Sequence, residues 1–137
     1  MNAILHKDDN GNNLITYVAK GYDIKQVQKE IGGVEISSES EGINFDYINA
    51  YDISDNSFSL NLEKARELKI KQIRESRDEM FIDFDKRYNI AFRDGVDLTS
   101  LNQEREVLKQ APQKAETYLD SCISFDEIKS LSISSLV

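Results

Sequence analysis

The chain changes its hydrophobic rhythm once. Up to residue 61 the apolar positions come in short β-prone runs such as "AILH", "LITYVA" and "VEIS", separated by turn formers. From Leu62 onward they return every three or four residues, and residues 62–92 pass 31 positions without Gly or Pro. The first rhythm predicts strands and the second predicts helices. Together they predict an α+β protein made of a small lobe over residues 1–61 and a helical part over residues 62–137.

Within the lobe, strands are expected near residues 3–7 and 14–19. Asn10 and Gly11 lie between them, where a two-residue type I′ turn needs positive φ. Ile24, Val27 and Ile31 have helical spacing, with Asp23 as N-cap and Gly32 and Gly33 as the stop, so a short helix follows. "VEIS" and "INFDYINAYDIS" are strand-like, "SSESEG" is a polar loop, and "DNSF" is a turn leading into Phe58 and Leu60. A small sheet with one helix results.

In the helical part, Ile73, Met80, Phe84, Tyr88 and Ala91 form a stripe that Phe81 and Phe92 widen. A helix of this length spans about 46 Å at 1.5 Å per residue. Gly95 ends it, and Asp97 is the expected N-cap of a second helix carrying Leu98, Leu101, Leu108 and Ala111, which Pro112 is expected to stop. A five-residue connection makes the two helices an antiparallel hairpin. Ser124 with Glu127 three positions later is a capping box for a short last helix burying Phe125, Ile128 and Leu131. "SISSLV" is expected to fray.

Composition adds constraints. The 137 residues suit one domain or two small lobes. Apolar runs are far shorter than the roughly 20 residues that span a bilayer, and the start turns polar too early for a signal peptide, so no membrane association is expected. The formal charge is -8. It is concentrated in the lobe, at -6 against -2 for the helical part, and an acidic surface repels phosphate backbones, so no nucleic acid is expected as a partner. One cysteine, Cys122, allows neither an internal disulfide nor a cysteine metal cluster, and fits synthesis in a reducing cytoplasm.

Catalytic chemistry finds little footing. His6 is the single histidine, in a predicted strand and without a partner in sequence, and Cys122 reads as a small buried hydrophobe. "DDNGNN" alternates like a calcium loop but has Asn13 where Gly is needed and Ala19 where a bidentate Glu is needed. Glu79, Asp83 and Asp85 read as a solvated helix face. No catalytic residue, cofactor site or metal site is assigned, and the expectation is a non-enzyme.

The arginines remain. Arg66, Arg74 and Arg77 lie on the first half of the long helix with Glu63, Glu67, Glu75 and Asp78 interleaved, which leaves little net charge. Arg77 stands in line with Ile73, Met80 and Phe84, so it is expected to be buried and to grip a carboxylate, a run of backbone carbonyls or a helix C-terminus. Glu104 or Glu106 on the second helix, or Asp46 or Asp52 of the lobe, are the candidates. In that reading Arg77 pins lobe to hairpin. The stripe is wider than one short helix covers, so its flank around Ile70, Phe81 and Phe92 predicts contact with another chain. Arg66, Ile70, Ile73, Arg74, Arg77, Phe81, Phe84, Tyr88 and Phe92 are therefore the candidate structural and interface residues.

Residues 61–112 resemble a family of small proteins from the tail-gene regions of tailed bacteriophages. The resemblance runs without a gap through Lys64, Ala65, Arg66, Ile73, Arg74, Arg77, Asp85, Tyr88, Ala91, Gly95, Arg105, Leu108 and Pro112. The chain departs from the pattern at Asn61, where Asp is common, at Tyr88, where Phe is usual, and at "DGVD", where "GD" is typical. The resemblance implies a virion role located in the tail, baseplate or tail-fibre region, contacts with other phage tail proteins or with further copies of the chain, and synthesis in the bacterial host cytoplasm. Two other roles are compatible with these residues: a tail-assembly chaperone absent from the mature particle, and a small acidic inhibitor of a host protein.

Overall fold

The computed structural model describes residues 2–36, 43–55 and 57–137. The fold is α+β, with a β-rich beginning, a long helix paired with a second one, and a short last helix. It divides into two compact units, the first running through Ala65 and the second from Arg66 onward.

The first unit is built on β1 (Asn2–Lys7), flanked on both sides by antiparallel strands, β2 (Asn13–Val18) and β3 (Val34–Ile36). Being central, β1 buries both faces: Ala3, Ile4 and Leu5 are all at most 1% exposed. Ala3 and Leu5 join Ile36, Ile43 and Tyr51 in one apolar cluster. Side-chain alternation sends Ile4 and Glu35 to the other face. There α1 (Ile24–Ile31) packs on β1 and β3, and its Lys25 pairs with Glu35 at 2.6 Å. The Asp23 carboxylate caps α1 by accepting the Lys25 N–H. Gly33 follows at φ +91°, where a Cβ would meet the Leu5 carbonyl and stand 2.6 Å from His6 Cβ. Only glycine lets β3 approach β1 this closely.

The hairpin between β1 and β2 differs from the two-residue type I′ turn expected. Asp8 N–H bonds the Asn12 carbonyl, Gly11 N–H bonds the Asp8 carbonyl, and Gly11 has φ +81°. This is a three-residue loop in which a type I turn is followed by a left-handed glycine. The Asp8 carboxylate favours it by accepting the N–H groups of both Asn10 and Asn12.

A second difference lies at residues 45–50, expected as strand and found as 3-10 turns within Phe45–Ala50 that are kinked at Tyr47 (φ -118°, ψ 21°). The Asn44 side chain caps it by accepting the Asp46 N–H, and Tyr47 and Ala50, three residues apart, are buried together on one side. Only Tyr51–Ile53 (β4) is extended, paired with β5 (Phe58–Leu60) through a turn in which Ser54 bonds Ser57. The expected polar loop "SSESEG" covers residues 37–42 and lies outside the described residues.

The helix α2 (Leu62–Arg93) starts as expected. Asn61 is its cap: Oδ1 accepts the Lys64 N–H while Nδ2 donates to Asp52, a double role that an aspartate could not fill. Hydrogen bonds from Lys64 and Asn61 hold the Asp52 carboxyl below its ordinary pKa.

In the second unit, α2 ends at Gly95 (φ +69°) in a Schellman motif, with Val96 N–H bonding Ala91 and Gly95 N–H bonding Phe92. The next helix, α3 (Thr99–Asp120), differs from expectation at both ends. Asp97 bonds the Thr99 N–H and hydroxyl instead of sitting at the cap, which is Leu98. Pro112 does not stop the helix but lies inside it, buried between Ala111 and Ala115. An interior proline costs about 3 kcal/mol through the lost hydrogen bond and ring clash. The buried series Leu108, Ala111, Pro112, Ala115 and Leu119 continues across it, and this packed face carries the helix onward. Ser124 caps α4 (Phe125–Ser130), which buries Ile128, and Ile133–Ser135 forms a 3-10 turn where fraying was expected.

Candidate interaction surface on the helical hairpin

The antiparallel register of α2 and α3 is fixed by paired side chains. Arg74 reaches Glu116 at 3.2 Å, and Arg87 grips Glu104 with both terminal nitrogens. Arg87 therefore holds the Glu104 carboxyl below its ordinary value. Such half-exposed pairs contribute about 0–1 kcal/mol each, so they set register more than stability.

Near the turn, Phe84 is fully buried. Its ring meets Phe81 edge-on (6.0 Å, 89°) and Tyr88 at 6.0 Å. Arg105 of α3 lies 4.3 Å from the Tyr88 ring centre and 5.7 Å from that of Phe84. A guanidinium over these rings adds about 0.5–2 kcal/mol, because the ring faces are electron-rich.

At the opposite end two cations close the unit. Arg66 donates to the Cys122 carbonyl, just past the end of α3, at 2.6 Å. Lys69, 7% exposed, donates to the carbonyls of Lys129 (3.1 Å) and Leu131 (2.9 Å), at the end of α4. Both helices leave carbonyls unbonded at their ends, and a cation there satisfies them and meets the favourable end of the dipole. The Cys122 thiol beneath Arg66 is raised in pKa, chiefly by burial and then by nearby Glu127.

Arg77 behaves differently from expectation. Its Nε and one terminal nitrogen bond Asp78, its sequence neighbour, at 3.2 and 3.0 Å. Of the acids proposed for it, Glu104 is held by Arg87, Glu106 by Lys109, and Asp52 by Lys64 and Asn61. The register set by Arg74 with Glu116 and Arg87 with Glu104 places Arg77 across from the Pro112–Gln113–Lys114 stretch, which has no carboxylate. Within the second unit the cations that hold distant carbonyls are Arg66 and Lys69. Spacing by four puts Lys69 in line with Ala65 and Ile73, and all three are buried, but Arg77 has the same spacing from Ile73 and is not.

Of the other candidates, Ile73 is core, and Ile70 and Phe81 are half-buried. Phe92 is 70% exposed and Met80 lies at the edge of the stripe, so the stripe narrows toward the turn. Ile82 and Ile90 are also exposed, on the side of α2 away from Phe84. His6 lies in the first unit: its Nδ1–H donates to the Lys7 carbonyl, which leaves Nε2 to accept the Thr16 hydroxyl at 2.7 Å. Among the described residues no cluster of three or more His, Cys, Asp or Glu could hold a metal ion, and no helix is long and apolar enough to cross a membrane.

The arrangement defines an α+β protein whose charged side chains hold helix ends and helix register. No protein-family model, curated protein or solved structure matches this chain.

Proposed function

We propose that the chain is a non-enzymatic structural component of a phage virion, placed in the tail, baseplate or tail-fibre region and acting through protein–protein contacts. One observation carries the reading: five of the residues through which the chain resembles tail-region proteins build the hairpin. Arg66 holds the end of α3, Arg74 pairs with Glu116, Arg105 covers Tyr88, Gly95 makes the turn and Leu108 is core. A pattern of that kind specifies a rigid shape, and a rigid shape is what a joint between other proteins requires. Exposed Ile82, Ile90 and Phe92 supply apolar area for such a neighbour.

Quantitative mass spectrometry of purified particles from a phage carrying this gene tests the proposal. A fixed copy number per particle is expected. Absence from finished particles, together with failed tail assembly when the gene is deleted, would replace it with the chaperone role.

A further inference from the structure

The sheet order β2-β1-β3 leaves β2 at an edge. In an antiparallel ladder, facing residues alternate between pairs that exchange hydrogen bonds and pairs that do not. The bond from Asp8 N–H to the Asn12 carbonyl makes that pair a bonded one. Stepping by two along the register makes His6 with Leu14, Ile4 with Thr16 and Asn2 with Val18 bonded as well. Asn13, Ile15 and Tyr17 therefore turn their backbone groups away from β1. Asn13 confirms the direction, because its N–H bonds Asn49 instead. The N–H and C=O groups of Ile15 and Tyr17 have no partner among the described residues.

Edge strands are normally defended by charge, proline or a bulge. Residues 10–19 contain neither a charged residue nor a proline. We propose that this edge pairs with the same edge of a second copy, antiparallel, about a two-fold axis through Thr16.

Three features select a second copy as the occupant. First, the outward groups are symmetric about Thr16. Setting Ile15 opposite Tyr17 of the second copy, and Tyr17 opposite its Ile15, makes four hydrogen bonds and leaves none of these groups unpaired. Second, residues 10–19 carry no charge, so no like-charged side chains face one another across the axis. The antiparallel sense also brings Lys20 of each copy toward the Asp8–Asp9 end of the other. Third, Tyr17 is 51% exposed on the same face as half-buried Ile15. Across the axis each tyrosine ring lies beside the partner isoleucine, a favourable aromatic and β-branched pair. A groove of about 690 Å³ bordered by Tyr17, Lys20 and Tyr22 sits at the end of β2 toward which the second copy's acidic loop is directed.

Sedimentation of the full chain across the micromolar range tests this, since a two-strand interface is small and gives a weak dimer. A reversible dimer is expected. Tyr17→Pro removes two of the four bonds while leaving the pairing with β1 intact, and is expected to raise the dimer Kd about 30-fold. Oxidative crosslinking gives a second reading in a Cys122→Ser background. Thr16→Cys puts two cysteines on the axis, about 4.5 Å apart at Cα and within disulfide reach. Tyr17→Cys separates them beyond the roughly 7 Å limit. Selective crosslinking of Thr16→Cys supports the proposal even where Tyr17→Pro fails to fold. A monomer at every concentration, a dimer indifferent to Tyr17→Pro, or equal crosslinking of both cysteine variants overturns it.

Discussion

Replacing Lys69 by methionine tests the claim that a buried cation holds the last helix. Methionine keeps the apolar stem and its packing but deletes the ammonium that donates to the Lys129 and Leu131 carbonyls. A hydrogen bond to a charged group contributes about 1.5–3 kcal/mol, and a buried carbonyl left unsatisfied costs about 1–3 kcal/mol. Against this, methionine removes the desolvation penalty of a buried ammonium, which amounts to several kcal/mol. The two carbonyls remain in place whatever occupies position 69, so the balance falls on the destabilising side at about 2–4 kcal/mol. For a cooperative block of this size that corresponds to a fall in Tm of about 5–15 °C. Urea unfolding followed by circular dichroism measures the loss. Hydrogen exchange over residues 125–131 locates it, because protection of the α4 amides should fall first. Lys129→Met is the control: Lys129 offers Lys69 only its backbone carbonyl, and its own side chain makes an exposed pair with Asp126 and a contact with the Phe125 ring at 4.8 Å, both outside the Lys69 site. Stability of Lys69→Met within about 0.5 kcal/mol of the parent, or above it, would refute the capping role.

Other outcomes follow from the same geometry. Arg77→Met should change stability by less than about 1 kcal/mol in thermal melts, because it deletes only an exposed-side pair with Asp78; a larger loss would restore it as a tether. Asn13→Asp should destabilise the first unit by about 2–4 kcal/mol in urea titrations, since a carboxylate would face the Ile48 and Tyr51 carbonyls that the amide now serves. Gly33→Ala should cost about 2–3 kcal/mol or more, since a Cβ there meets β1; an unchanged melting curve would show that β3 does not approach so closely. Asp52, Asp97 and Glu104 all have depressed carboxyl pKa values, from their bonds to Lys64, Thr99 and Arg87 respectively. Depressed values mean that the stabilisation is present above the unfolded range near pH 4 and is lost as pH falls through the lower folded values. Melting temperature should therefore be flat from neutrality to about pH 5 and drop below about pH 4, with a shallower drop in Glu104→Gln.

Much of the fold was legible in the residues because it depends on neighbours a few positions away. Asp23, Ser124 and Gly95 cap or end helices through bonds to backbone groups within five residues. The 3.6-residue period of residues 62–92 is likewise a local property. The candidate surface was legible only in part. Periodicity placed Ile73 and Phe84 on the inner face, but it could not choose among cations on one stripe, since Lys69 and Arg77 have the same spacing from Ile73.

Sequence by itself determined most of the strands and helices and their order along the chain, since those outcomes follow from backbone propensity, capping and period. Tertiary structure decided the rest. Pro112 stays inside α3 because a packed face on both sides of it outweighs a local cost. Residues 45–50 form kinked 3-10 turns that bury Tyr47 and Ala50, although their side chains are as strand-like as those of β4. Lys69 is buried and Arg77 is not, because carbonyls at the end of α4 face the first while an acid-free stretch of α3 faces the second. Whether a charge can be buried depends on what the chain brings opposite it from some sixty residues away, and no local pattern contains that information.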